Sequence, residues 1–322
     1  MIFIRIALLI IFIPFQSIAQ INYPEKQIRL IVPFPPGGGV DNFARPLAQQ
    51  LSEQIGQQVI VDNRAGAGGV VGSAIVAKAA PNGYTLLANT DTSVYLTTLV
   101  VKNASYDPIK DLTPIISAVI TPTVFVVHPS LPIFSMKDLI DFSKASQDPV
   151  PYVTAGIGSL HHLTGESLAK ATNIKLLHIA YKGGSSAQTD LLGGQVKVGI
   201  LILSTVIPQI QSGNLRVLAT IENHRSKLYS NIPTIAENGV SGFSMPDTGL
   251  AIWGPPGISS EIIDRINNEV RKALLNPSLR EVLEKSGYET RIISSKEFST
   301  QATQKYSLYQ RLIKEVNLSS TD

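Results

Sequence analysis

Two segments carry the residues that could act on a ligand. The first is Phe34-Pro35-Pro36-Gly37-Gly38-Gly39-Val40-Asp41, where two prolines and three glycines separate a short apolar run from a helical pattern. Glycine lets the backbone approach a ligand closely, because no Cβ intervenes. A helix opening near Asp41 would offer unpaired N–H groups and a positive dipole end to a carboxylate or phosphate. The pattern fits either such a ligand loop or a tight structural turn. It is not a nucleotide motif. A Walker loop needs Gly-Lys-Ser/Thr after the glycines, and the dinucleotide fingerprint needs a third glycine where this chain has Asn42 and Phe43.

The second segment, Thr154-Ala155-Gly156-Ile157-Gly158-Ser159-Leu160-His161-His162, repeats that logic: strand, glycine-containing loop, helix. Adjacent residues on a helix point about 100° apart, so His161 and His162 cannot readily share a metal. His128, His178 and His224 lack ligand spacing such as His-x-x-x-His. One histidine satisfied at the helix start and one facing a pocket is the better reading. Ser159 lacks the closing glycine of a nucleophile elbow, and no triad order can be proposed for it. Asp41, Asp91 and Glu166 are isolated acids whose default role is a solvated cap. Lys182, before Gly183-Gly184, fits a carboxylate partner or an ordinary surface lysine. Nothing assembles a nucleophile, a base and an oxyanion donor. These are binding parts, with no catalytic residue, metal or cofactor expected.

The elements that must position these loops alternate. A strand over 28–33 precedes a helix over about 41–54, and Val59-Ile60-Val61 is the next strand. Gly66-Ala67-Gly68-Gly69 leads into a helix through Val71, Ile75 and Val76, and Tyr84 to Ala88 is a third strand ending at Asn89-Thr90-Asp91-Thr92-Ser93. A second unit begins at Val124. It has a helix capped by Ser135, strands at 152–154, 176–180, 196–203 and 215–220, and a helix from about 184 to 192. Leu250 to Gly257 carries the chain back toward the first unit. Helices over about 260–275, 277–286 and 296–316, capped by Ser259 or Ser260 and by Ser295, read as a structural cover. Strands separated by helices argue for an α/β fold of two lobes, each a mostly parallel sheet flanked by helices, with ligands bound beyond the carboxyl strand ends.

The chain has 322 residues, 44% hydrophobic and 16% charged, with no cysteine. That composition is globular, and it excludes disulfides, a lipoprotein anchor and thiolate chemistry. Met1 to Ala19 reads as a cleaved secretory signal, with Arg5 as its positive region, Ile6 to Phe15 as its apolar core and Ser17-Ile18-Ala19 as its cleavage site; an uncleaved anchor is the alternative. Removing Arg5 lowers the formal net charge from +3 to +2. No basic tract indicates nucleic acid.

Several segments together resemble one family. They are Tyr23-Pro-x-Lys-x-Ile-Arg-Leu-Ile-Val-Pro-Phe-x-Pro-Gly-Gly-Gly-x-Asp, Asn63-Arg-x-Gly-Ala-Gly-Gly, Ala80-Pro-Asn-Gly-Tyr-Thr-Leu-Leu, Tyr106-Asp-Pro-x-Lys-Asp, Gly158-Ser-x-x-His-Leu-x-Gly-Glu, Tyr181-Lys-Gly and Asp190-Leu-Leu-Gly-Gly-Gln-Val. The mature chain resembles the Bug/TctC proteins, the extracytoplasmic solute-binding components of tripartite tricarboxylate transporters. The resemblance implies a periplasmic binding protein of type II architecture, monomeric, that hands a small organic carboxylate to the transporter's membrane subunits. It implies a signal over 1–19, one lobe over 20–122 plus 248–322, and a second over 123–247. The implied ligand loops are Phe34 to Asp41, Gly156 to His161 after Thr154, Asn89 to Ser93, and Tyr181 to Ser186. Leu201-Ile202 departs from the Asp-Asn pair of many relatives, Leu160 and His161 replace small polar residues, and Asp91 stands where small or neutral residues are usual. Asp91, His161 and Leu201 are therefore expected to decide the far end of the ligand, favouring an apolar-tailed or aromatic acid over citrate. A binding protein feeding a two-component sensor and an exported hydrolase are the alternatives.

Overall fold

The computed structural model describes residues 22–318, and the signal reading of 1–19 lies outside them. In chain order the first elements are β1 (Ile28–Val32), α1 (Gly39–Ile55), β2 (Val59–Asn63), a 3-10 turn (Ala67–Gly69), α2 (Val70–Ala77), β3 (Thr85–Thr90), α3 (Asp91–Val100) and β4 (Thr113–Thr121). Then follow β5 (Thr123–Val127), α4 (Met136–Ala145), β6 (Val150–Thr154), α5 (Leu160–Thr172), β7 (Leu176–Ala180), α6 (Gly184–Leu192), β8 (Val198–Ile202), α7 (Leu203–Gln211) and β9 (Arg216–Thr220). β10 (Thr248–Gly254), α8 (Ser260–Leu274), α9 (Pro277–Lys285), β11 (Glu289–Ile293) and α10 (Ser295–Val316) complete it.

The strands form two sheets, ordered β11-β4-β10-β3-β1-β2 and β7-β6-β8-β5-β9. β1 reads Ile-Arg-Leu-Ile-Val with four of five residues buried, because helices cover the sheet on both faces. Val40, Phe43, Leu47 and Leu51 give α1 a buried stripe at helical spacing. The sheets are mixed rather than mostly parallel. β1 pairs parallel with β2 and β3, and β6 with β7 and β8, whereas β10 and β5 pair antiparallel with their neighbours. The cause is the connection between lobes. β4 ends at Thr121, Pro122 turns the chain, and β5 starts at Thr123 in the other sheet; a strand arriving from the opposite lobe enters against the local direction.

Three features differ from the sequence reading. α3, β4, α7 and β11 were absent from it; α3 and α7 follow β3 and β8 directly, with no turn residues to mark the change. Ser294, not Ser295, caps the last helix, while Ser295 Oγ donates to Pro114 O at 2.7 Å. That helix is also more than a cover. It packs on α3 and β4 of the first sheet's lobe and on α5 of the second, burying Phe298, Ala302 and Tyr309.

The crossing point holds a buried acid. Thr123 N donates to Glu222 Oε1 at 2.9 Å, and Thr123 Oγ1 lies 3.2 Å from Thr248 Oγ1 on the returning strand. Glu222 Oε2 is enclosed without a partner. Burial pushes this carboxyl up to about 8, against the pull of the Thr123 N–H and with added repulsion from Asp247. The folded state therefore keeps a proton that the unfolded chain has lost by pH 6 or so, and stability from this site falls as pH rises toward 8. Glu222→Gln is expected to match wild type near pH 5 and to melt higher than wild type at pH 7 to 8. Parallel melting curves across that range would show that the acid is already ionised.

Candidate functional site

A cleft of about 550 Å³ lies between the sheets, lined by residues just past β1, β3, β6 and β8. Five helices begin at its wall. Gly38, Gly39 and Val40 open α1; Thr90, Thr92 and Ser93 open α3; Ser159, Leu160 and His161 open α5; Gly184 opens α6; Ile202 and Thr205 open α7. The lining holds no Lys, Arg, Asp or Glu, and His161 is its one ionisable side chain. Positive helix ends converging on a space without cationic side chains offer the dipoles and N–H groups that can hold an anion.

The first loop is shaped by Asp41, which turns back into it. Asp41 Oδ2 accepts from Gly37 N at 2.9 Å and Arg45 Nε at 2.8 Å, and Oδ1 from Asn63 Nδ2 at 2.9 Å. Asn63 Nδ2 also donates to Phe34 O at 3.0 Å, tying β2 to the loop. Burial raises the Asp41 carboxyl, but the bonds from Arg45, Gly37 and Asn63 outweigh it and hold the group below its ordinary range. With the acid so engaged, Gly38 caps α1 with no side chain of its own. The helix end stays open.

The second loop is held from below. Thr154 Oγ1 accepts from Gly156 N at 3.1 Å and lies 2.6 Å from His178 Nε2. Ser159 Oγ accepts from His162 N at 3.2 Å and donates to Gly156 O at 2.7 Å, so its hydroxyl is a helix cap rather than a nucleophile paired with a base. His162 and His178 stack at 3.8 Å. Burial draws them down to about 4 and about 3, so the pair is neutral.

A third loop, missed as a ligand wall, comes from Gly66-Ala-Gly-Gly. Gly68 sits at φ 62°, and a Cβ there would lie 2.9 Å from Ile157 O of the opposite lobe, so only glycine allows this approach. Gly68 O accepts from Ser93 Oγ at 2.7 Å, and Thr97 Oγ1 donates to Gly158 O across the lobes at 3.1 Å. Thr92, inside the expected Asn89–Ser93 loop, also lines the cleft, as do Thr205 and Thr248; single threonines in a sequence carry no signal that could have found the last two.

Of the residues expected at the site, Phe34, Gly38, Gly39, Thr90, Ser93, Ser159 and His161 line the cleft. Asp41, Asn89, Thr154, Gly156 and Gly158 lie behind this wall as supports; Asn89 is fully buried, with Nδ2 3.2 Å from Ser73 Oγ. Pro36 and Gly37 are exposed, and Pro35 abuts the Gly183 backbone opposite. Tyr181 OH is bonded to Asp190, and Lys182 is exposed. Leu201 belongs to the core beside Val124 and Val153, and Ile202 reaches the cleft instead: successive strand side chains point to opposite faces. The Asp91 carboxylate is engaged by Lys305 of α10 and by Gly249 N (3.0 Å), outside the lining. A separate cavity under β1 and α8 is walled by apolar side chains such as Leu30, Leu51 and Val270 and offers no comparable set of donors.

The chain matches the family model described as tripartite tricarboxylate transporter family receptor (TctC) over residues 43–318. It is 37% identical to protein BugT of Bordetella pertussis, over 83% of this chain and 82% of that protein. The solved structure of the periplasmic binding protein BugD superposes with a TM-score of 0.87 at 30% identity, covering 93% of this chain and 100% of that one. An R. palustris protein solved with adipate gives a TM-score of 0.89 at 30% identity, with the same coverage. Both the sequence match and the shared two-lobed α/β architecture lead to one conclusion: the chain belongs to the TctC receptor family of periplasmic solute-binding proteins, and it is not an enzyme.

Proposed function

We propose that the cleft binds a small organic acid with an apolar body and presents it to the membrane subunits of a tripartite transporter. The observation that carries this reading is the convergence of five helix starts on a cavity without a cationic side chain. Such a cage stabilises a carboxylate through fixed dipoles. A carboxylate held this way is released without breaking an ion pair to Lys or Arg. Phe34, Val40, Leu160 and Ile202 supply the apolar part of the wall. The reading includes the ligand roles of the first and second loops, lobes over 20–122 plus 248–322 and 123–247, a monomer, and export directed by residues 1–19. The membership of each strand in one sheet or the other supports those lobe limits.

A thermal-shift panel of mono-, di- and tricarboxylates with two to eight carbons tests it. Acids of four to eight carbons are expected to raise Tm by several degrees at millimolar concentration, because ligand bound only by the folded state adds stability by mass action. Amides of the same acids should give no shift. A panel in which acids and amides behave alike would remove the anion site.

A further inference from the structure

His161 is 5% exposed and lines the cleft at the second residue of α5, and its Nδ1 is enclosed without a hydrogen-bond partner. Its neighbours are not in that position. His162 Nδ1 lies 3.4 Å from Gly158 N, and His178 Nε2 lies 2.6 Å from Thr154 Oγ1. Buried polar atoms are almost always paired, so an imidazole that lines the cleft and has an unpartnered nitrogen is open to a partner that a ligand brings.

The rest of the lining narrows what that partner is. The N–H groups at the helix starts, joined by the Thr90 hydroxyl, which accepts from Thr92 Oγ1 and Ser93 N and so keeps its own proton to give, suffice for one carboxylate without any proton transfer. A second carboxylate on the same ligand would be enclosed where no Lys or Arg faces it. The one side chain of the lining that can become a cation is His161. We infer that His161 reads a second acid group on the ligand, donating a ring N–H to it and taking up one proton from solvent as that group arrives. Diacids are thereby selected over monoacids, and their binding is coupled to pH. This rests on the carboxylate reading given under Proposed function.

The electrostatics agree. Burial draws His161 down to about 4, so the ring is neutral at pH 7 before a ligand charge approaches. The groups on the elements packed against it do not supply the charge. His178 on β7 and His162 on its own helix are neutral, and Glu166 is held by Tyr152 OH at 3.1 Å. Asp91 on α3 is matched by Lys305 on α10, which packs against both α3 and α5. An adjacent ligand carboxylate favours the charged ring and raises its pKa in the complex. Affinity for a diacid then increases as pH falls, by up to about tenfold per unit for one proton taken up.

Calorimetric titration with adipate and with hexanoate, at pH 6, 7 and 8 and in buffers of different ionisation enthalpy, decides the matter. In the wild-type protein adipate affinity is expected to fall up to tenfold per unit as pH rises, with close to one proton taken up. Hexanoate should bind more weakly and within twofold of the same affinity at every pH. His161→Gln keeps an N–H donor but cannot titrate, so it should bind adipate with no pH slope. Wild-type adipate binding that is flat with pH, or a slope that persists in His161→Gln, overturns the inference and leaves the anion site intact. Failure of every acid to bind overturns both.

Discussion

Replacing Gly39 by valine is expected to leave the protein folded and to weaken acid binding by about two orders of magnitude. Gly39 is the first residue of α1, within the helix, so valine there carries no helix-propensity cost, glycine ranking below it. The obstacle lies across the cleft. A Cβ at this position would sit 3.1 Å from Ser204 Oγ and 3.2 Å from Ile202 Cγ2, both of the second lobe, and the two γ-methyl groups of valine would intrude further. Overpacking of this kind costs typically 1–3 kcal/mol when the parts cannot separate. The lobes are expected to part about the β4–β5 crossing, which relieves the strain. Only the closed state carries the penalty, so apparent affinity falls with the closed population, about a hundredfold for roughly 3 kcal/mol. Small-angle scattering of the variant should show no contraction on addition of a panel acid that contracts the wild type. The next glycine is a natural control, since a Cβ at Gly38 meets nothing nearer than Pro35 O at 3.5 Å. Gly38→Val fills cavity space without prying the lobes apart, so it should lower affinity while preserving contraction. A Gly39→Val protein with wild-type affinity would remove lobe closure from the binding step.

The contrast between those two glycines shows where sequence reading stops. Proline and glycine punctuation marked the loop, and hydrophobic spacing marked the strand before it and the helix after it, because both signals are local. Which glycine meets the other lobe depends on Ile202 and Ser204, more than 160 positions away, and no local pattern carries that. The same limit governs the acids. Asp41 reads as an isolated cap, and it does shape the start of α1, but its partners include Asn63 at the end of β2. Leu201 and Ile202 are adjacent, and a one-residue choice of face decides which reaches the cleft. The direction of β5 and β10 followed from the chain crossing between lobes, which alternation of strands and helices cannot report. His161 was legible as a pocket histidine because adjacent helix residues point about 100° apart, dividing the pair between cap and pocket, and because it replaces a small polar residue of the resembled family's loop.

Asp91 separates a ligand role from a structural one, and Lys305→Ala decides between them. The acid is 2% exposed at the first residue of α3. Its Oδ1 accepts from Thr92 N at 2.7 Å and Gly249 N at 3.0 Å, and its Oδ2 is paired with Lys305. Removing one member of a buried pair strands the other charge, which costs about 3–5 kcal/mol; Lys305 is 26% exposed, so water entering its place brings the expectation to the lower end, about 3 kcal/mol. For a chain of 322 residues that corresponds to a fall in Tm of roughly 4–5 °C. Asp91→Asn in the Lys305→Ala background removes the stranded charge while keeping an acceptor for the two N–H groups, and should recover most of the loss. That non-additivity is the signature of a direct pair. If Asp91 instead selected ligands, Lys305→Ala would alter the acid preference and leave the melting temperature unchanged. The structural outcome has a further consequence. α10 touches α3 of one lobe and α5 of the other, so freeing it from Asp91 loosens the start of α3, where Thr90 and Ser93 line the cleft, and the brace between lobes together. The variant is therefore expected to bind every acid of the panel more weakly by a similar factor, whereas His161→Gln discriminates among them.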